Sequence, residues 1–108
     1  MAFTFSSEFD NGVGIITLEG ELDGSSAESF RNAVSELSSK GLTRLVLMMS
    51  KLDYMASAGL RVLVFARQKM GATVDIYLVS ATESVRETVE MTGFHHSVIM
   101  VDVYEPAK

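Results

Sequence analysis

The sequence lacks features that define several protein classes, beginning with cysteine, of which it has none. The chain can therefore build neither a disulfide framework nor a thiolate metal site. No apolar run approaches the roughly 20 residues that a membrane-spanning helix needs. The first residues also lack the basic and then apolar layout of a secretory signal peptide. These absences favour a soluble protein of the cytoplasm.

Clusters of basic residues are absent as well. The chain of 108 residues carries 9 lysines and arginines against 14 acidic residues, and its net charge is −5. Such a chain has no basic patch with which to bind nucleic acid or an anionic membrane. Its apolar fraction of 47% and charged fraction of 21% are those of an ordinary globular protein. Its length favours one domain over residues 1–108, with a short tail at residues 105–108.

Hydrophobic patterning predicts strands that alternate with helices. Alternating apolar residues predict a strand at 3–9 with one apolar face, a turn at Asp10-Asn11-Gly12 and a return strand at 13–19. The apolar run within residues 43–49 predicts a central strand that is covered on both faces. Further strands are expected at 74–78 and 98–103.

Each of the three predicted helices begins at a serine. Ser25 and Ser80 are each followed three residues later by glutamate, which is the pattern of a capping box. The middle helix is expected over residues 58–70, with Ser57 as its cap, and it has Leu60 at the equivalent position. Its N-terminus therefore has free N–H groups and no carboxylate of its own to compensate the positive end of the helix dipole.

Helices that alternate with strands imply right-handed crossovers. We therefore expect an α/β fold, a single domain with a mixed, mostly parallel sheet of about five strands and helices packed against it. The loops at 20–24, 50–57 and 80–82 should emerge at one edge of this sheet, where binding sites of open α/β sheets form. That edge would hold Glu21, Asp23, Ser57 and Ser80.

Ser57 is the candidate regulatory residue. A phosphate on its hydroxyl would lie among the free N–H groups of the helix and add a charge of about −1.5 to −2. The alternative is that Ser57 only caps the helix, as most serines at this position do. Gly59, in the first turn, could simply allow close packing against the sheet. Tyr54 and Met55 could be either exposed or packed into the core.

Four segments, residues 20–23, 45–50, 54–60 and 92–94, together resemble a STAS domain of the bacterial anti-sigma factor antagonist family. They occur in the family's order and spacing and span nearly the whole chain. Where the family typically has Asp-Ser-Ser-Gly-Leu, this chain has Ala56-Ser57-Ala58-Gly59-Leu60. An aspartate that is common in the third strand is Met48 here. The family's phosphorylated serine falls on Ser57.

The resemblance implies a partner switch. The unphosphorylated protein would bind an anti-sigma factor that is also a serine kinase of the GHKL type, and phosphorylation of Ser57 from ATP would separate the two. A PP2C-type phosphatase would reset the switch. The protein would be substrate and ligand, not an enzyme, and would need no cofactor. The implied partner-binding surface comprises Glu21, Asp23, Tyr54, Met55, Ala56, Ser57, Ala58, Gly59 and Arg61.

Three other functions are open to this sequence. The first is a STAS subunit that regulates a transporter or a sensory assembly. The second is a small enzyme that uses the edge with Asp23 and Ser57, although no histidine lies in the predicted edge loops. The third is a nucleotide-binding domain. His95 and His96 are expected in a solvated loop, and with no cysteine present no metal site is expected.

Overall fold

A computed structural model describes residues 3–104. In this part of the chain, five strands and three α-helices alternate after an initial hairpin. Their bounds are β1 Thr4–Asp10, β2 Val13–Leu22, α1 Ala27–Ser38, β3 Arg44–Met55, α2 Ser57–Met70, β4 Asp75–Val79, α3 Glu83–Met91 and β5 Ile99–Val101. The expected tail, residues 105–108, lies outside the described residues.

The strands form one sheet in the order β1-β2-β3-β4-β5. The first pair is antiparallel and the other three pairs are parallel, which confirms the predicted mixed, mostly parallel sheet. Each parallel strand is added on the same side as the one before it. Because such crossovers are right-handed, all three helices lie on one face of the sheet. The fold is therefore two-layered, and no described helix covers the other face.

The core lies between the helices and one face of the sheet. Leu45, Leu47 and Met49 alternate along β3 and join the same hydrophobic cluster as the buried stripes of the helices. Val46, between them, is fully buried but stands outside that cluster. The central strand is thus buried on both faces, as its apolar run predicted, but helices cover only one of them.

The opening hairpin turns where the sequence predicted it. Asn11 and Gly12 have φ angles of 52° and 84°, which the primed turns of two-residue hairpins require. The predicted first strand is present, but its apolar face is not buried, because all seven residues of β1 are exposed. Phe5 and Phe9 are 37% and 39% exposed. As the outermost strand, β1 has only one neighbour to cover its side chains.

The second and third strands are longer than predicted. They reach Leu22 and Met55, so most of the expected loops at 20–24 and 50–57 is paired strand. Register shifts near the ends of both strands accommodate this pairing. Buried Leu52 and Met55 anchor the extension of β3, while polar residues between them face solvent. The last strand is shorter than expected, and a 3-10 turn over Phe94–Ser97 precedes it.

Both predicted capping boxes are wrong. The N-caps of α1 and α3 are Ser26 and Thr82, and neither side chain caps its helix. The Thr82 hydroxyl instead donates to the Leu52 carbonyl at 3.1 Å, which ties the start of α3 to the end of β3. The Ser26 hydroxyl is engaged by the preceding turn. In each case the hydroxyl is hydrogen-bonded to a partner outside the helix and does not cap it.

The two histidines lie in the 3-10 turn rather than in a loop. Their ring centroids are 4.0 Å apart, and His95 is half-buried. Among residues 3–104, no group of three or more histidine, aspartate and glutamate side chains could hold a metal ion. None of the helices described is long and apolar enough to cross a bilayer.

Candidate functional site at the carboxyl edge of the sheet

The end of β2 and the start of α2 are joined directly. The backbone N–H of Ala56 donates to the Leu22 carbonyl at 2.8 Å. Just before this bond, Glu21 pairs with Tyr54 and Leu22 with Met55 across the two strands. The structure therefore brings Glu21 next to the segment that leads into Ser57, as the loop positions in the topology predicted.

Ser57 is the first residue of α2 and not its cap. Ala56 occupies the cap position with an extended backbone, φ −76° and ψ 169°, and its methyl group cannot accept a hydrogen bond. The Ala56 carbonyl accepts the first helical hydrogen bonds, from Gly59 at 2.9 Å and Leu60 at 3.2 Å. No acidic residue lies in the first turn. The Ser57 side chain is exposed at this uncapped end.

Gly59 lets the first turn of α2 sit directly on the sheet. A Cβ atom at this position would lie 2.8 Å from side-chain atoms of Leu22 and of Met55. Both of those side chains are buried, so neither has room to move aside. Close packing against the sheet is therefore enough to explain why position 59 is a glycine.

Of the two residues that the sequence left as either exposed or packed, Tyr54 is exposed and Met55 is packed into the core. Tyr54 is 47% exposed and Met55 is 1% exposed. Met55 belongs to the core and holds the end of β3 in place. Tyr54 is the large side chain that this edge offers to solvent.

Asp23 is held by its own turn. Its Oδ1 atom accepts hydrogen bonds from the hydroxyl of Ser25 at 2.7 Å and that of Ser26 at 3.1 Å. The backbone N–H groups of the same two residues donate to it at 3.0 and 3.2 Å. These bonds, led by the Ser25 hydroxyl, lower the pKa of Asp23 below its ordinary 3.8. The aspartate is consequently charged at neutral pH and orders the start of α1.

Sequence reasoning missed the role of Ser25 and Ser26 in this turn. The signal was present, because aspartate followed by glycine and serines favours a turn in which the carboxylate accepts nearby N–H groups. The capping-box pattern of Ser25 and Glu28 competes with that signal in the sequence and predicts a different role for the serine.

A groove between α1 and α2 starts beside the candidate serine. Arg61 and Ala58, from the predicted surface, lie in it, and the Arg31 guanidinium stacks 4.5 Å from the centre of the Phe65 ring. Sequence reasoning did not find Arg31 or Phe65, because their contact joins two helices that are far apart along the chain. The full lining is Ala27, Glu28, Arg31, Asn32, Ala58, Arg61, Val62 and Phe65.

Ser80 does not share a network with Ser57. Its hydroxyl donates to the Asp102 carbonyl beyond β5. Both histidines come just before β5, at the amino edge of the parallel strands and thus opposite Ser57. No imidazole is therefore positioned to activate the Ser57 hydroxyl as a nucleophile.

The geometry defines a small α/β domain with an exposed serine on an uncapped helix end, and the family follows from sequence comparison. The family model for the STAS domain matches residues 4–106. BtrV of Bordetella bronchiseptica is 35% identical over 85 residues, 78% of this chain and 73% of that protein. The chain belongs to the STAS domain family.

Another relative and two solved structures extend the comparison. The anti-sigma-F factor antagonist RsfB of Mycobacterium tuberculosis is 28% identical over 83 residues, 77% of this chain and 68% of that protein. An anti-sigma factor antagonist from Mycobacterium paratuberculosis has a TM-score of 0.86 at 22% identity, covering 94% and 87% of the two chains. Phosphorylated SpoIIAA from Bacillus has a TM-score of 0.73 at 20% identity, covering 90% of each chain. At these identities the two structures show the shared fold.

Proposed function

We propose that this protein is an anti-sigma factor antagonist that is switched by phosphorylation of Ser57. The relative RsfB is named an anti-sigma-F factor antagonist. The observation that supports the switch is the exposed Ser57 hydroxyl on the uncapped start of α2. The protein acts as substrate and ligand in the cytoplasm, and catalysis belongs to its partner. That partner is an anti-sigma factor with serine kinase activity of the GHKL type.

The docking surface is the carboxyl edge around Ser57. Exposed Tyr54 offers apolar area, and Arg61 offers a cation one helical turn beyond the serine. Glu21 and Asp23 lie on the β2 side of the same edge. The remaining members of the surface are Ala56 and Ala58, whose small side chains leave the serine accessible, and Gly59 and Met55, which support it from the core side.

Phosphorylation changes the charge of this surface without disturbing the fold. A phosphate adds about −1.5 to −2 of charge at a helix end whose free N–H groups favour an anion. The phosphorylated surface no longer complements that of the kinase, so the two proteins separate. Removal of the phosphate by a PP2C-type phosphatase restores binding. Because Ala56 and Ala58 bring no charge of their own, the phosphate supplies the negative charge that the first turn of α2 lacks.

Affinity capture from the native cell tests the docking surface. The wild-type protein is compared as bait with Ser57→Glu and with the matched variant Ser84→Glu, which adds the same charge to an exposed position in the first turn of α3. We expect a GHKL-type kinase with wild type and Ser84→Glu, and its loss with Ser57→Glu. Capture of a transporter or a sensory assembly instead would support the alternative role of a STAS regulatory subunit.

Phosphate transfer tests the switch itself. The captured kinase is incubated with labelled ATP and with wild type, Ser57→Ala or Ser84→Ala. We expect label on wild type and on Ser84→Ala only. Undiminished labelling of Ser57→Ala would contradict the assignment of Ser57 as the phosphoacceptor.

A further inference from the structure

The outer edge of β1 has no partner in the described structure. All seven residues of β1 are exposed, and they pair without a break to β2 alone. Natural edge strands are usually protected by charged side chains, lysine above all, or by proline, a bulge or short length. The charges on β1 are Glu8 and Asp10, both acidic. The segment Thr4–Asp10 contains neither lysine nor proline. The other edge strand, β5, is only three residues long, so it carries far fewer open backbone groups.

The hairpin turn determines which backbone groups point outward. In a two-residue turn the flanking residues, here Asp10 and Val13, are hydrogen-bonded to each other. Backbone groups alternate in direction along an antiparallel strand. The N–H and C=O groups of Phe5, Ser7 and Phe9 therefore face away from β2, and the outer edge presents three complete donor and acceptor pairs.

We propose that two copies of this protein pair through β1, antiparallel, with Ser7 opposite the partner's Ser7. This register places Phe5 opposite the partner's Phe9, and the two-fold axis repeats that pair. It also places Glu8 opposite the partner's Ser6 and Asp10 opposite the partner's Thr4. Each acidic side chain therefore meets a hydroxyl, and each phenylalanine meets another ring.

Neighbouring registers are less complementary. Shifting the partner by two residues in one direction places Glu8 opposite the partner's Glu8, and like charges directly opposite each other are unfavourable. A shift in the other direction places Phe5 opposite the partner's Ser7 and Phe9 opposite the partner's Phe3, which lies outside β1, so that only five of the seven β1 residues face one another. Aromatic pairs across strands are among the more stabilising ones, and Phe5 and Phe9 are each more than a third exposed in the single chain. The register centred on Ser7 is the one that pairs all seven residues of β1 and both of the strand's phenylalanines.

The dimer is a continuous sheet of ten strands, because each copy contributes five. Since β1 runs antiparallel to its copy, the carboxyl edges of the two sheets point in opposite directions. The two Ser57 sites are then at opposite ends of the assembly. This inference does not depend on the proposed function.

A cysteine crosslink tests the register. The chain has no cysteine, so Ser7→Cys introduces the only thiol. In the proposed register the two Cα atoms at position 7 are about 5.5 Å apart, within the range of roughly 4.4–6.8 Å for a disulfide. Ser6→Cys is the matched control, since its two copies lie two residues out of register. We expect rapid covalent dimer formation on mild oxidation of Ser7→Cys and little with Ser6→Cys.

The mass in solution tests the association itself. Light scattering across a concentration series is expected to show a dimer for wild type and a monomer for Ser7→Pro. Proline at position 7 removes an outward N–H and leaves pairing to β2 intact, which circular dichroism checks. Ile99→Lys, on the opposite edge at 39% exposure, should remain dimeric.

If Ser7→Pro fails to fold, Phe5→Lys serves the same purpose, because it removes the aromatic pairs without touching the backbone. A wild type that stays monomeric at every concentration would overturn the proposal. Equal crosslinking of Ser6→Cys and Ser7→Cys would also overturn it.

Discussion

The starts of α1 and α2 lie near each other at the carboxyl edge of the sheet, yet the residues that precede them are held in different ways. Before α1, the Asp23 carboxylate accepts four hydrogen bonds from Ser25 and Ser26. Before α2, Ala56 has no group that can accept one, and no acid follows in the first turn. The turn before α1 thus carries a carboxylate held by its own residues, whereas the start of α2 has no acid near it and is open to an anion from outside.

Packing separates the two ends as well. A Cβ atom on Gly59 would overlap Leu22 and Met55, whereas one on Gly24 would meet nothing within 4 Å. The end that lacks polar partners is thus the one that is seated most tightly on the sheet. A hydrogen-bonded turn and apolar packing are thus two different ways to fix the residues at the start of a helix.

Gly59→Val should have the largest effect, because it breaks the seating of α2. Overpacking a buried site costs about 1–3 kcal/mol of unfolding free energy, and here the obstructing atoms belong to buried side chains. Urea unfolding measures the loss. Gly24→Ala is the control and should change stability by less than about 0.5 kcal/mol. Equal losses of unfolding free energy in the two variants would contradict the difference in packing between Gly59 and Gly24.

Ala56→Asp should give α2 the side-chain cap that it lacks. An aspartate cap typically gains about 0.5–2 kcal/mol over alanine, and the extended backbone at Ala56 is already suited to it. Thermal or urea unfolding measures the gain. Ala56→Asn supplies the same acceptor without charge and should keep most of the effect. A loss of stability with both variants would show that the end cannot be capped from this position.

Ser57→Asp should give a smaller gain, of about 0.3–1 kcal/mol at low ionic strength, from charge near the helix end. The control is Ser84→Asp on α3, where Glu83 already occupies the first turn, so its gain should be lower. Urea unfolding at low and high salt measures both, and salt should screen the gain at Ser57. Equal gains would mean that the first turn of α2 is no less compensated than that of α3.

Asp23→Asn should have the smallest effect and should appear mainly in the pH dependence. The folded pKa of Asp23 is lowered, so its charge stabilises the fold above the unfolded value near 3.8, and this contribution is lost as pH falls through the folded pKa. Between neutral pH and a pH below both values, wild type should lose more stability than Asp23→Asn. The control is Asp53→Asn, at an exposed position on β3, which should follow wild type.

The fold was largely predictable because its signals are local and periodic. The turn at Asn11 and Gly12 and the extent of α2 follow from residue types within a few positions. The added lengths of β2 and β3 do not, because they arise from pairing between Glu21 and Tyr54, which no local pattern encodes. The exposure of Phe5 and Phe9 likewise depends on β1 being outermost.

The candidate site was predictable in its centre and not in its surroundings. Ser57 and the absence of an acid after it could be read directly from the sequence. The hydrogen bonds of the Ser26 and Thr82 hydroxyls could not be predicted, since each hydroxyl can bond either to its own helix or to another partner. For Thr82 that partner is Leu52, 30 residues away, a distance at which sequence spacing carries no information.

The seating of Gly59 on Leu22 and Met55 also explains what can vary around it. The backbone of the first turn is located by the contact of Gly59 with the core, and Ala58 packs against the same cluster. Position 56 can therefore exchange acid, hydroxyl or methyl groups while the Ser57 oxygen keeps its place, so the chemistry of the site can be changed by substitution without altering the backbone that supports it.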